Sequence, residues 1–204
     1  MTSDRSGEKR ERIERVAVYL GASVPNDPDF VQATVDLGKY LASHGMTLIF
    51  GGSSMGLMKL MAETVLGNGG KAVGVISKNI PLKYLHPGLT DSVVTENLAE
   101  RKAEMIRRAD AIIAMPGSFG TFDELFDAAA LKKVPLGGNQ MPIGVLNVKG
   151  FYDPLVKLIE NSVKVGFATP QQGNIIRAGK TPEELFQLLE EDFYHRKNTA
   201  DIRG

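Results

Sequence analysis

The sequence of 204 residues predicts an α/β fold, in which one doubly wound domain contains a mainly parallel sheet with helices on both faces. Two observations lead to this prediction. Short runs of β-forming residues alternate with longer helix-like segments, which is the order that typifies a parallel sheet covered by helices. Several of the short runs are continuously apolar, as expected for strands that are buried on both sides.

Seven strands are expected along the chain, and the last of them has the weakest pattern. They are Val16–Leu20, Thr47–Phe50, Ala72–Ile76, Val93–Thr95, Ala111–Met115, Ile143–Asn147 and Asn174–Arg177. Helices are expected between and after them, at residues 28–43, 55–67, 98–108, 121–132, 152–165 and 181–191. The polar residues 1–14 and 196–204 are expected to be tails, which leaves residues 15–195 as the domain.

Local signals mark several of these elements. Glycine-bearing turns follow the first, second and fifth strands. Leu98, Met105 and Ile106 give the helix at 98–108 an apolar side. Thr181 and Pro182 are typical of a helix start, the first as a cap and the second as the first helical residue.

The composition excludes several classes of protein. Lys plus Arg equals Asp plus Glu at 24 each, so the charge gives no reason to expect a nucleic-acid partner. Cysteine is absent, and His44, His86 and His195 do not have the spacing of metal ligands, so neither a disulfide nor a metal site is expected. No apolar run approaches 18 residues, so we expect no membrane span and take the cytoplasm as the default location.

Three glycine-bearing loops follow predicted strands and should lie at one edge of the sheet, where doubly wound folds bind their ligands. They are Gly21-Ala22-Ser23, Gly51 to Gly56, and Pro116 to Thr121. Two of them open helices, whose N-terminal N–H groups and positive dipole ends attract phosphate. The pattern predicts an anionic, nucleotide-like ligand; the alternative is that the glycines serve only as turns.

Common cofactor motifs are missing. Gly56 is followed by Leu57 and Met58, so the chain lacks the lysine and hydroxyl of a P-loop. The residues after strand one do not form Gly-x-Gly-x-x-Gly, and no acidic residue closes strand two, which disfavours an NAD enzyme. No lysine stands out as the Schiff-base residue of a pyridoxal enzyme. No cofactor is therefore expected.

Arg101 and Glu124 are the candidate catalytic residues, and each has a structural alternative. Arg101 and Lys102 lie in the first turns of a predicted helix, where cations oppose the helix dipole and so suggest a ligand. A solvated helix face would explain them equally well. Glu124 lies one turn inside the helix that follows the third loop, but Thr121 to Glu124 also fits a capping box, which needs no chemistry.

These motifs resemble those of the LOG ("lonely guy") family, the cytokinin-activating phosphoribohydrolases, whose members are often mislabelled lysine decarboxylases. The family pairs an Arg-Lys with a later Pro-Gly-Gly-x-Gly-Thr-x-x-Glu, which corresponds here to Arg101-Lys102 and to Pro116 through Glu124. The likeness extends to the first two loops and to Asn147 with Phe151-Tyr152-Asp153, and it covers about residues 16–190. It implies a Rossmann-like fold, a homodimer, and hydrolysis of an N6-substituted adenosine 5′-monophosphate to the free base and ribose 5-phosphate.

The resemblance and the loops together define a candidate site. Glu124 would stabilise positive charge on the ribose or activate the attacking water, and Arg101 would fix the substrate or keep Glu124 ionised. Backbone N–H groups and hydroxyls of the third loop would cradle the 5′-phosphate. The expected substrate-binding residues are Gly21, Ser23, Gly52, Lys102, Gly117, Ser118, Phe119, Gly120, Thr121 and Asp123. The scheme requires neither a metal nor a cofactor.

Several positions depart from the family pattern and leave the identity of the base open. Ser118 replaces a glycine, Lys83 stands where many members carry a substrate-contacting glutamate, and Ala130 stands where threonine is common. Leu98 and Ala99 replace Met-His. Two alternatives therefore remain: a nucleosidase for ordinary nucleoside monophosphates, and a non-catalytic nucleotide-binding protein.

Overall fold

The computed structural model describes residues 12–132 and 141–201, the last six of them as backbone only. Within these residues the sheet has seven strands: Arg15–Tyr19 (β1), Thr47–Phe50 (β2), Lys71–Ser77 (β3), Asp91–Thr95 (β4), Ala111–Ala114 (β5), Ile143–Leu146 (β6) and Ile176–Gly179 (β7). Every pairing between these strands is parallel, in the order β4-β3-β2-β1-β5-β6-β7. The predicted α/β fold is confirmed.

The same ranges contain seven α-helices: Pro28–Ser43 (α1), Gly56–Gly67 (α2), Leu98–Arg108 (α3), Phe119–Lys132 (α4), Asp153–Lys164 (α5), Pro170–Gly173 (α6) and Pro182–Asp201 (α7). Short α6 was not predicted, nor were two 3₁₀ turns at Leu82–Tyr84 and Val148–Gly150. None of the described helices is both long and apolar enough to cross a membrane.

Two helices differ from the sequence prediction by two or more residues at one end. α4 begins at Phe119, two residues before the predicted start. α7 continues to Asp201, beyond the predicted end at 191 and into the expected C-terminal tail. Part of the reason is that Phe193 is buried and continues the apolar stripe that contains Phe186 and Leu189.

Two apolar layers sandwich the sheet. Side chains of α1, α2 and α7 pack on one face, and side chains of α3 and α4 pack on the other, where α5 adds only partly buried residues. Strand order reverses at β1, which lies between β2 and β5. In doubly wound sheets this reversal opens a crevice at the carboxyl ends of the two strands, and the loops after β1 and β5 border it here.

Candidate active site

The third glycine loop leads directly into the N-terminus of α4. The N–H group of Phe122 donates to the carbonyl oxygen of Ser118 at 3.0 Å, so Ser118 takes the capping position. The N–H groups of Phe119, Gly120 and Thr121 precede this first intrahelical bond and have no acceptor within the helix. They form the kind of helix N-terminus that binds phosphate.

The capping box considered for Thr121 and Glu124 is wrong. Thr121 lies inside α4 rather than at its cap, because the helix starts two residues earlier. Its buried side chain packs against Gly117, where an added Cβ would overlap the threonine hydroxyl. Glu124 faces α3 instead, so its carboxylate is engaged in the contact described next.

Arg101 is the fourth residue of α3, and its side chain is buried. Its Nε donates to the carbonyl oxygen of Val75 in β3 at 2.9 Å, and its Nη1 donates to Glu124 Oε1 at 2.8 Å. Nη2 lies against Gly51, where any side chain would overlap it. The interpretation of Arg101 as part of a solvated helix face is therefore wrong.

The environment of Glu124 raises the pKa of its carboxyl. The residue is 8% exposed, and this burial raises the pKa of its carboxyl above the ordinary value. The positive charge and hydrogen bond of Arg101 oppose the shift without cancelling it. A buried carboxyl with a raised pKa beside a fixed cation is frequent at acid–base sites.

A second ion pair joins the same two helices, one residue later on α3 and one residue earlier on α4. Lys102 Nζ lies 3.0 Å from Asp123 Oδ1 and 3.8 Å from Asp127 Oδ2. The side chain of Asp123 is 65% exposed, whereas that of Lys102 is half-buried. Both residues were predicted to bind substrate, and the structure pairs them with each other at the surface.

A cavity of about 220 Å³ lies over the point where the strand order reverses. Its walls combine Gly21 and Ser23 of the first loop with Gly117 and Ser118 of the third, and Phe151 closes one side. Three larger cavities, of about 460, 600 and 290 Å³, lie beside α5, between α1 and α7, and between α4 and α5, and none of the predicted site residues lines them. The 220 Å³ cavity is the candidate phosphate-binding part of the site, because the glycine loops line it.

The second loop contacts the first. Gly52 has a φ of 72° and Gly56 a φ of 55°, in the left-handed region that favours glycine. A Cβ on Gly56 would overlap the backbone of Ala22, so the two loops are packed together. The His86 N–H donates to the Gly52 carbonyl at 2.8 Å, which fixes the segment containing exposed Lys83 beside the second loop.

Not every predicted residue takes part in this arrangement. Phe119 is 89% exposed and lines none of the cavities described above. Ser118 replaces glycine without strain, since Lys149 is the one described non-glycine residue with a positive φ. Leu98, Ala99 and Ala130, three departures from the family pattern, are exposed.

Sequence reasoning missed three groups that the structure adds to the site. The Val75 carbonyl oxygen holds Arg101, and Gly51 gives the guanidinium room. The buried phenol of Tyr19 lies on the α3–α4 side of the sheet, and the Glu124 carboxylate helps to raise its pKa. Gly51 could have been found from its place in the second loop. For Tyr19 the sequence indicates only that it belongs to an apolar strand.

Comparison with known proteins identifies the family. A family model described as "Possible lysine decarboxylase" matches residues 58–189. Cytokinin riboside 5′-monophosphate phosphoribohydrolase LOG of Oryza sativa subsp. japonica is 39% identical over 186 residues, which cover 91% of this chain and 76% of the rice protein. The chain belongs to the LOG family.

A second LOG relative agrees with this assignment, and a solved structure shares the fold. Cytokinin riboside 5′-monophosphate phosphoribohydrolase LOG2 of Arabidopsis thaliana is 36% identical over 185 residues, covering 90% of this chain and 86% of its own length. A molybdenum cofactor binding protein from Rippkaea orientalis superposes with a TM-score of 0.66 at 18% identity, covering 89% of this chain and 98% of its own. At that identity the likeness shows the fold alone.

The LOG motif residues thus meet in space. A hydrogen bond joins Arg101 and Glu124, which are 23 residues apart in the sequence. The part that these two residues play in a reaction stays a prediction, as do the substrate contacts of the ten other residues expected to bind substrate.

Proposed function

We propose that this protein hydrolyses the N-glycosidic bond of an N6-substituted adenosine 5′-monophosphate and releases the free base and ribose 5-phosphate. The observation that carries the proposal is the buried 2.8 Å contact between Arg101 Nη1 and Glu124 Oε1, one turn inside the helix that follows the glycine loop. Relatives that are 35–39% identical over most of the chain and are named for this reaction support it.

The phosphate would bind at the N-terminus of α4. The N–H groups of Phe119, Gly120 and Thr121 supply donors, and the helix dipole favours the negative charge. Ser118 is exposed at the cavity and adds a hydroxyl. Since Glu124 lies one turn further along the same helix, a bound phosphate would direct the ribose toward the carboxylate.

Bond cleavage would use the two buried charges. As the C–N bond breaks, its electron pair leaves with the base and positive charge develops on the ribose, which an ionised Glu124 stabilises. Water then forms the new C–O bond at the anomeric carbon and gives a proton to Glu124, which later releases it to solvent, while the departing base takes up one proton from solvent. Arg101 stays protonated throughout and acts as a fixed cation that orients Glu124.

Product release tests the proposal directly. We would incubate the purified protein with isopentenyladenosine 5′-monophosphate and with AMP, and measure free base and ribose 5-phosphate by chromatography. We expect both products in equal amounts from the first substrate. Retention of bound nucleotide without any product would instead establish the non-catalytic binding protein.

One observation keeps the ordinary-monophosphate nucleosidase as a second candidate. The segment that contains Lys83 is fixed to the second glycine loop through the His86 N–H, and Lys83 is exposed beside Tyr84, with Nζ 5.1 Å from the ring centre. Lysine there offers a donor to an oxygen of an unmodified base. Faster cleavage of GMP, CMP or UMP than of the N6-substituted nucleotide, across a small panel, would favour this alternative.

A homodimer also belongs to this proposal. An apolar groove between α4 and α5, which we call the α4–α5 surface, is lined by Phe122, Leu125, Phe126, Phe151, Tyr152, Pro154, Leu155 and Leu158. No side chain of α5 is buried, although one side of this helix is apolar. Apolar surface left open in this way is typical of an interface.

Light scattering can test the homodimer. Leu158→Asp should reduce the molar mass to that of the 22.1 kDa monomer, because it places a charge in the α4–α5 surface. Val165→Asp is the matched control, since Val165 is almost equally exposed but lies outside that surface. Identical masses for both variants and the wild type would contradict the assignment of the surface.

We place the protein in the cytoplasm within the same proposal. The absence of cysteine is compatible with a reducing compartment, where disulfides are rare. Fractionation of cells with an antibody against the chain tests this location.

A further inference from the structure

Tyr19 is a buried group that the proposed reaction does not yet use. It is the last residue of β1 and pairs with Ala114 of β5, at the strand-order reversal that forms the crevice. The residue is 1% exposed, and its side chain belongs to the apolar layer under α3 and α4. Its hydroxyl is buried and has no hydrogen-bond partner among the described residues.

A buried hydroxyl without a partner needs an explanation, because folded proteins pair nearly all such groups. The same layer contains a phenol that is paired: the hydroxyl of Tyr152 donates to the carbonyl oxygen of Met115 at 2.7 Å. The fold can therefore provide an acceptor for a buried tyrosine. The unpaired hydroxyl of Tyr19 points to a partner that enters from outside the protein chain.

Tyr19 packs in one apolar layer with Leu125 of α4 and Met105 of α3, the two helices that carry the proposed catalytic residues. Burial raises the pKa of Tyr19, and the Glu124 and Asp127 carboxylates of α4 add to the rise, while Arg101 of α3 opposes it. The phenol is thus a neutral donor. Glu124 in turn interacts with Arg101 and Lys102 of α3 and with Asp123 of its own helix.

We infer that the hydroxyl of Tyr19 holds, together with the carboxylate of Glu124, the water molecule that attacks the ribose. Arg101 binds Oε1 of Glu124, which leaves Oε2 to accept a proton from this water. The Tyr19 hydroxyl donates to the water oxygen, so that one lone pair is fixed and the other faces the anomeric carbon. This inference rests on the proposed function, to which it adds the residue that positions the nucleophile.

The bonds and protons balance in this arrangement. The water oxygen forms the bond to the anomeric carbon, and the C–N bond breaks with its electron pair moving to the base. One water proton passes to Glu124, which later releases it to solvent, and the base takes one proton from solvent, so the sum is one water consumed for each base released. Tyr19 keeps its proton throughout.

Tyr19→Phe tests the inference because it removes only the hydroxyl. We expect kcat to fall about 3- to 10-fold, the range that one neutral hydrogen bond supplies. KM should stay unchanged, since Tyr19 holds the water and not the nucleotide. The melting temperature should stay equal or rise, because the lost hydroxyl has no partner within the protein.

Tyr152→Phe is the matched control for stability. It removes a hydroxyl that is paired with Met115, so its melting temperature should fall below that of Tyr19→Phe. An unchanged kcat in Tyr19→Phe would overturn the inference, as would a loss of melting temperature as large as that of Tyr152→Phe. If the wild type releases no base from any monophosphate, the proposed function fails; if it does and Tyr19→Phe is equally fast, only the role of Tyr19 fails.

Discussion

Two ion pairs between α3 and α4 lie one residue apart and differ mainly in their surroundings. Arg101 Nη1 and Glu124 Oε1 are 2.8 Å apart, and their side chains are 9% and 10% exposed. Lys102 Nζ and Asp123 Oδ1 are 3.0 Å apart, with side chains 17% and 65% exposed. The two pairs therefore have similar distances, but one is buried and the other is partly solvated.

The difference shows which pair is suited to chemistry. Taking two charges out of water is unfavourable, and the attraction between them often only offsets that penalty. A solvated pair has little penalty and little effect on stability. The buried Arg101–Glu124 pair is therefore a poor device for stabilising the fold, and its contact with Gly51 of the second glycine loop fits a role in the proposed reaction. The predictions below test this contrast, starting with the largest expected effect.

Glu124→Gln should cause the largest loss of activity. The amide keeps the size of the side chain but cannot accept a proton, so kcat should fall by about 10²- to 10⁴-fold. The matched variant is Asp123→Asn, which makes the same change in the exposed pair and should keep most of the wild-type kcat. The measurement is the rate of base release at saturating substrate. Equally slow release by the two variants would contradict the predicted difference between the buried and the exposed pair.

Arg101→Ala should affect both turnover and stability. It leaves the buried carboxylate of Glu124 without its partner, so the free energy of unfolding in urea should fall by about 3–5 kcal/mol. Turnover should fall with it, because Glu124 loses the group that orients it. Lys102→Ala, measured in the same way, should lose about 1 kcal/mol or less. Equal losses would mean that burial does not distinguish the two pairs.

Gly51→Ala should impair the reaction through Arg101. The new methyl group would overlap Nη2, and the guanidinium can move aside more easily than the backbone can. A displacement of about 1 Å in a catalytic group can lower the rate by about 10²-fold. Gly67→Ala is the control, because an added Cβ meets open space there and φ is not positive. The two variants should have similar melting temperatures and differ in kcat.

The acid side of the pH–rate profile should reflect the raised pKa of Glu124. Burial makes its folded-state pKa higher than the ordinary value of about 4.3, so Glu124 stays protonated to a higher pH than an exposed glutamate would. Activity that needs the ionised carboxylate should therefore be lost as pH falls through this raised pKa. A profile of kcat/KM against pH checks the sign: an apparent pKa at or below 4.3 would contradict it.

The smallest effect is expected from salt. The Lys102–Asp123 contact is partly solvated, so its contribution, about 1 kcal/mol or less, should shrink as ionic strength rises. The destabilisation caused by Lys102→Ala should accordingly be smaller in 1 M than in 0.05 M sodium chloride. For Arg101→Ala the loss in the free energy of unfolding should change much less with salt, because the Arg101–Glu124 pair is buried.

Much of the fold could be predicted because the signals are local. Continuous apolar runs separated by helix-length segments predict buried parallel strands, and the glycine loops predict which edge binds an anion. The sequence could not predict which of the neighbours Arg101 and Lys102 is buried. Both are basic, but they project about 100° apart around α3, and only the packing of α3 against β3 decides which one is buried.

The misassigned start of α4 has a similar cause. Phe119-Gly120 carries no local signal for a helix, so the sequence favoured Thr121 as the cap. In the structure the Thr121 side chain packs against Gly117, a contact that no pattern of spacing reveals. Tyr19 was missed because an aromatic residue in an apolar strand predicts burial and says nothing about whether its hydroxyl is paired.

The central place of β1 in the sheet also bears on how the chain is made. β1 pairs on one side with β2, which follows it closely in the sequence. Its other neighbour is β5, so Val16 can pair with Ala111 only after about half of the chain has been made. During synthesis on the ribosome, β1 to β4 can emerge and assemble while one side of β1 remains an open edge. We expect the nascent chain to be most prone to association in this interval, which ends when β5 adds to the sheet.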